Sequence, residues 1–141
     1  MDPQQTVFYR IEKAIKSYRQ FAQQQIAAVQ SGITVDQLLI LGLLDAEPDL
    51  AQKDLAKMLF KDHASITRMI ELLVKRGHLL RSVHPEDRRK FKLAISTQGQ
   101  QTLAQLKPTI LRNRAHALQG IAPAELQQLT HILNKIINNC D

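Results

Sequence analysis

The chain has 141 residues, a formal net charge of +6, one cysteine and no tryptophan. Such a length suits one domain or one intertwined protomer, and a single cysteine excludes an intramolecular disulfide framework, which fits a reducing cytoplasm. No apolar run reaches the ~18 residues of a membrane span, the opening Met1-Asp2-Pro3 lacks a signal peptide's basic flank and apolar core, and a pI of about 9.7 favours an acidic partner.

Phe8 to Gln30 is the first predicted helix, because Phe8, Ile11, Ile15, Tyr18, Ala22 and Ile26 recur at threes and fours. Nothing adjacent in sequence can bury that stripe, so it must meet distant helices or a second chain. Ser31-Gly32 breaks the helix. Thr34 and Gln37 then have the spacing of a capping box. The helix they open is apolar nearly all round from Leu38 to Leu44, which makes it central. Glu47-Pro48-Asp49 is a turn. Gln52 to Phe60 reads as a short helix with Leu55, Ala56 and Leu59 inward, and Lys61-Asp62 turns into the next one.

Asp62 is a good N-cap, since its carboxylate can accept from the free amides of a first turn. Ile66, Met69, Ile70 and Leu73 make a buried stripe, and Gly77 ends the run. Ala64, Arg68, Glu71 and Lys75 lie opposite, with Thr67 and Ser65 on the flanks. A slim polar leading edge followed by an arginine is what a major groove admits. An ordinary solvated helix has the same pattern, and the residues after Gly77 decide between them.

Leu79 to Val83 is a short strand candidate, His84-Pro85-Glu86-Asp87 is turn chemistry, and Lys90 to Ser96 alternates as a half-buried strand does. The pair predicts a hairpin tipped by Arg88, Arg89 and Lys90. From Lys61 to Lys92 there are nine Lys or Arg against four Asp or Glu, a local balance of +5 out of +6 for the chain. The excess is concentrated as a footprint for a polyanion is. We read residues 62–76 as a recognition helix for duplex DNA and 79–96 as a β-wing beside it.

Ser96 can cap a long helix running to about Leu118, with Leu103, Leu106, Ile110 and Ala117 as its stripe and Pro108 expected to kink or split it. After Gly120, Pro123 suits the first turn of a last helix with Leu126, Leu129, Leu133, Ile136 and Ile137 on one face. The first helix and the last two carry more apolar surface than a small winged module can cover. A two-fold homodimer follows, with recognition helices about 34 Å apart for two half-sites of an inverted repeat.

Leu55-Ala56-Lys57-Met58-Leu59, Ser65-Ile66-Thr67-Arg68, Gly77-His78-Leu79-Leu80-Arg81, Asp87-Arg88-Arg89 and Ile95-Ser96-Thr97-Gln98-Gly99 together resemble the multiple-antibiotic-resistance regulator (MarR) family. Motif order and spacing agree from about Phe8 to Asn138. The resemblance implies a mainly α fold with a small β-hairpin wing: a winged helix-turn-helix at 34–96, flanked by dimerisation helices at 4–30 and 97–139, within one domain over 1–141. It implies a cytoplasmic transcription regulator, a repressor by default, that is not an enzyme and needs no cofactor or metal. It also implies that Arg89 reaches the minor groove and that Asp87 orients it. Three positions depart from the pattern: His84 stands where an acid is common, Ala51 where a capping hydroxyl is common, and Ser96 where threonine is usual.

Arg68 can pair bidentately with a guanine or contact a phosphate, and both readings stay open. Ser65 and Thr67 suit a base or a phosphate, Ala64 a thymine methyl, and Arg88 and Lys90 phosphates. Gln52 and Lys53, opening the supporting helix, could hold a phosphate. The resemblance further implies a small aromatic or anionic effector bound between the dimer helices and the DNA-binding lobe. Tyr9, Arg10, Tyr18, Arg19 and His116 are the candidates there, against the plainer reading of surface charges and core-edge tyrosines. Thiol sensing is disfavoured, because the family's peroxide sensors place a cysteine in the first helix and Cys140 is penultimate. Metal sensing is disfavoured too, because the five histidines are scattered without ligand spacing. The competing class is a non-specific architectural DNA binder using the same wing. An enzyme ranks far below, since no nucleophile–base pair or phosphate-cradling glycine loop is present, and a winged module that only binds protein is disfavoured by its basic tip.

Overall fold

The computed structural model describes residues 1–141. After a single 3-10 turn at Pro3–Gln5 come α1 (Val7–Val29), α2 (Val35–Ala46), α3 (Gln52–Met58) and α4 (His63–Lys75). The hairpin β1 (Leu79–Val83) and β2 (Phe91–Ile95) follows, then α5 (Thr97–Ala117) and α6 (Pro123–Cys140). This is a winged helix-turn-helix with long helices before and after it. No helix is long and apolar enough to cross a membrane.

Local chemistry starts most of these helices. Thr34 and Gln37 form a reciprocal capping box, the Thr34 hydroxyl accepting from the Gln37 amide at 3.1 Å and the Gln37 side chain accepting from the Thr34 amide at 3.0 Å. Ser96 caps α5 by accepting from Gly99 N at 3.0 Å. Ala51 offers α3 no cap, and Asp54 instead reaches back to the Ala51 amide at 2.8 Å. Pro123 sits in the first turn of α6.

α2 lies at the centre, with Leu38, Ile40, Leu41 and Leu44 buried. Around it Leu55, Ile66, Ile70, Leu73, Leu79 and Leu93 close one core, joined by Ile26 of α1 and Leu106 of α5. The hairpin is antiparallel, with Leu79 opposite Ile95, Arg81 opposite Leu93 and Val83 opposite Phe91. Its inner face is buried at the base, at Leu79 and Leu93, and exposed toward the tip, at Val83 and Phe91.

The structure departs from expectation in two helices. The supporting helix ends at Met58, and Phe60 follows with φ 57°, where the expected helix still ran. Phe60 N donates to Lys57 O and Lys61 N to Ala56 O, the two bonds of a Schellman end that usually has glycine at this position. In α5 the buried line is Thr102, Leu106, Thr109 and Asn113, while Leu103 and Ile110 are only half buried and Ala117 is exposed. Leu106 belongs to the core, and Leu103 and Ile110 pack against it while also lining a cleft. α5 runs unbroken through Pro108. α6 buries no residue in its own chain, although Leu129, Ile132 and Ile137 line it.

Candidate nucleic-acid interface

α4 exposes the side that the periodicity indicated. Ala64, Arg68, Glu71 and Lys75 are exposed, while Ile66, Ile70 and Leu73 are buried and Met69 is half buried. Asp62 accepts from Ser65 N at 2.7 Å. That bond holds the Asp62 carboxyl below the usual carboxylate range, and the nearby positive charges of Arg68 and Lys61 add to it. Arg68 Nη2 lies 3.4 Å from Ser65 Oγ, a long contact that leans the guanidinium toward the N-terminal turn.

Thr67 behaves differently from its neighbours. Its hydroxyl donates to His63 O at 2.8 Å and accepts from Gln52 Nε2 at 2.7 Å. The Gln52–Thr67 bond ties α3 to α4, so within this chain both side chains serve the helix-turn-helix angle. Lys53 is exposed in the first turn of α3.

α4 ends in a second Schellman motif, with Gly77 N donating to Val74 O and His78 N to Leu73 O. Gly77 takes φ 83° there, a conformation that glycine adopts without steric cost. His78 is buried with both ring nitrogens unpartnered, and burial, reinforced by the charge of Arg76, pushes its pKa down. Ser96 N donates to His78 O at 3.1 Å, and the Ser96 hydroxyl donates to Gly77 O. The end of the wing is thus fastened to the end of the helix. Gly99 lies so close to this junction that a Cβ there would overlap the carbonyl of His78.

At the wing tip Asp87 Oδ1 accepts from Arg89 N at 3.0 Å and from Arg89 Nε at 3.4 Å. The backbone bond, then the side-chain bond, hold the Asp87 carboxyl below its ordinary range. The guanidinium of Arg89 remains 92% exposed. Arg88 and Lys90 beside it are exposed as well. His84 Nδ1 accepts from Glu86 N at 3.1 Å, a local bond that shapes the turn. Arg81 packs over the Phe91 ring at 4.8 Å, covering part of the exposed inner face of the wing.

The effector candidates do not gather in one place. Tyr18 and Arg19 line a cleft of about 500 Å3 between α1, α2 and α5, walled mostly by aliphatic side chains. Arg114 of α5 lines the same cleft. The sequence reading missed it, although it follows Leu103 and Ile110 at the spacing of one helix face. His116 belongs to a different cleft, where its ring stacks on Phe21 with centroids 4.7 Å apart. Tyr9 and Arg10 are exposed on the first turn of α1, outside both clefts.

Residues 31–90 match the model of the MarR family. A putative transcriptional regulatory protein for the hcr operon of Thauera aromatica is 27% identical over 122 residues, covering 86% of this chain and 72% of that protein. BpsR of Bordetella bronchiseptica, whose DNA binding is regulated by 6-hydroxynicotinic acid, has the same fold with a TM-score of 0.86, 24% identity and 96% of each chain covered. MepR of S. aureus, solved in complex with DNA, gives 0.85 at 20% identity, covering 99% of this chain and 100% of that one.

Proposed function

We propose that the chain is a transcription regulator of the MarR family, whose model its residues 31–90 match, and that it acts as a homodimer that binds an inverted-repeat operator and represses the promoter beneath it. The observation that carries this reading is the exposed polar edge of α4 joined, through Gly77, to a hairpin tipped by three cations. Arg68 and its neighbours Ala64 and Ser65 enter the major groove, and Arg89, held by Asp87, enters the minor groove. Arg88, Lys90 and Lys53 contact phosphates, which fix register without reading sequence. Gln52 and Thr67 hold the angle at which α4 is presented.

Residues 34–96 form the DNA-binding lobe in this reading, and 4–30 and 97–139 the dimerisation helices. Support comes from α6, none of whose residues is buried within the chain, and from Phe8 and Ile15 of α1, which are 63% and 50% exposed. A second copy is the occupant that also makes an inverted repeat readable. The cleft beside Arg19 and Arg114 has the volume of a small-ligand site. Its aliphatic walls and two guanidiniums suit a small aromatic carboxylate, which releases the dimer from DNA.

Selection of bound sequences from a random duplex library tests the reading. The expected result is an enriched inverted repeat with half-sites about one helical turn apart, bound far more tightly than a scrambled duplex, and reduced transcription from a reporter carrying it. Equal binding to every duplex, with a steep salt dependence throughout, marks a non-specific architectural protein instead.

A further inference from the structure

α1 and α5 enclose a second cleft, of about 590 Å3, that the proposed regulator leaves unused. It shares no lining residue with the cleft beside Arg19 and Arg114. It also lies away from the surface offered to a second copy. At about 100° per residue, side chains two apart on a helix point to nearly opposite sides. Leu111 and Leu118, 52% and 39% exposed, stand two residues from Asn113 and His116, which line the cleft. A dimer that covers those leucines leaves the cleft open.

Three kinds of side chain meet there. The first are aromatic: the rings of His116 and Phe21 stack with planes 21° from parallel, and both line the cleft. The second are carboxamides. Gln25 and Gln119 line the cleft, and so does Asn113, which is only 4% exposed and whose Nδ2 has no hydrogen-bond partner. A buried amide nitrogen left unpaired is costly, and a half-turn of this side chain brings the donor to the cleft. The third is cationic. Arg112 Nη2 donates to Thr109 Oγ1 at 3.1 Å, so the guanidinium leans away from His116, and no carboxylate lines the cleft to answer its charge. Arg112 and His116 are four residues apart, about 6 Å along the helix axis, and the lean toward Thr109 adds to that separation.

We propose that this cleft binds a nucleotide, with the base laid on the Phe21–His116 stack and the phosphate on Arg112. Carboxamides suit the edge of a base, because each carries both a donor and an acceptor. A third ring continues the stack, and stacking accepts any base. The guanidinium presents a fork of donors to phosphate oxygens. Spacing selects among flat anions. A carboxylate fixed directly to a ring falls short of the separation between the stack and the guanidinium, whereas a phosphate stands off from its base by the length of a ribose. The volume lies within the range of small-ligand sites. None of these residues belongs to the DNA-binding edge, so the site stands or falls without the operator.

The test titrates the full-length protein with AMP, GMP, CMP and UMP by calorimetry. At least one binds saturably, once per protomer, and far more tightly than inorganic phosphate. Arg112→Gln lowers the affinity for that nucleotide on the order of tenfold and leaves the affinity for its nucleoside unchanged. His116→Ala lowers both roughly tenfold, the loss of one stacking partner. Both side chains are exposed, so the variants are expected to fold, and thermal melting checks that they do. The basic edge of α4 and the wing compete for any phosphate, and excess duplex DNA separates the two sites. A nucleotide held in the cleft stays bound when duplex is added. Displacement by duplex overturns the proposal, as does the absence of saturable binding by any of the four. Equal affinity for inorganic phosphate, or parental affinity in either folded variant, overturns it too.

Discussion

Two regions of this molecule use the same aliphatic residues to different ends. In the stretch from Ile33 to Leu93 the stripes of α2, α3 and α4 and the base of the wing meet one another, and they supply all of the 13-residue core except Ile26 and Leu106. In α6 Leu129, Ile132 and Ile137 stay about half exposed, and no residue of that helix is buried. The winged module thus has most of a core to itself, while α6 keeps an apolar surface that the proposed dimer would cover. Stability and assembly should therefore respond to different substitutions.

The largest effect is expected where the α6 surface is broken. Leu129→Asp with Ile137→Asp should give monomers in sedimentation and lower operator affinity by about 10²- to 10⁴-fold, the loss that follows when two linked half-sites are bound separately. Far-UV circular dichroism should still show a folded module, and dimers that persist would refute the division. The contact where α5 enters the module comes next. Gly99→Ala drives a Cβ into the His78 carbonyl and should cost roughly 1–3 kcal/mol in thermal melts. Gly42→Ala in α2 meets open space and should stabilise by up to about 1 kcal/mol.

The lobe's exposed side can be divided in turn. Arg68→Ala should lose about 1–3 kcal/mol of discrimination at one base position. Arg88→Ala should weaken all duplexes alike and lower the salt slope by about one. If the two variants behave identically, Arg68 is a phosphate contact.

The smallest effect is a pH dependence confined to the module. Burial lowers the His78 pKa in the folded chain, whereas the unfolded chain takes up a proton near pH 6.5. The unfolded state then binds more protons, so the contribution is whole above about pH 6.5 and is lost as the pH falls toward the depressed folded pKa. Denaturant midpoints at pH 7.5 and 5.5 should differ by up to about 1 kcal/mol, and His78→Leu should flatten the difference. Asp62 and Asp87, held below the usual carboxylate range, contribute stability that is present above about pH 4 and lost only as the pH falls further.

Much of this architecture was legible because its signals are local. Thr34 with Gln37, Asp62 before α4, Ser96 before α5 and Pro123 in α6 each act within a turn of their own position, and the strand alternation reports a neighbour on one face only. What was not legible depends on residues far apart in sequence. Thr67 looks free for DNA until Gln52, 15 residues earlier, is found on its hydroxyl. Arg19 looks like a surface charge until Asp36, 17 residues later, is found on its guanidinium. In α5 periodicity located Leu103, Leu106 and Ile110, which lie in or against the core, but overran to the exposed Ala117 and passed over the polar residues buried beside them. Thr102, Thr109 and Asn113 are buried there, and their residue types do not announce it. Phe60 was read as the end of a helix because φ cannot be inferred from a residue that usually avoids positive values.

The knot between Gly77 and Ser96 has a consequence for how such a regulator can change its target. Residues 19 apart in sequence are bonded there, so helix α4 and the wing move as one solid piece. If Arg68 and Arg89 touch base pairs as proposed, those base pairs lie a fixed stride apart within each half-site. In the proposed dimer, lineages that lengthen or shorten an operator would do so in the spacer between half-sites. The half-site itself keeps its length, while the letters within it are rewritten one side chain at a time.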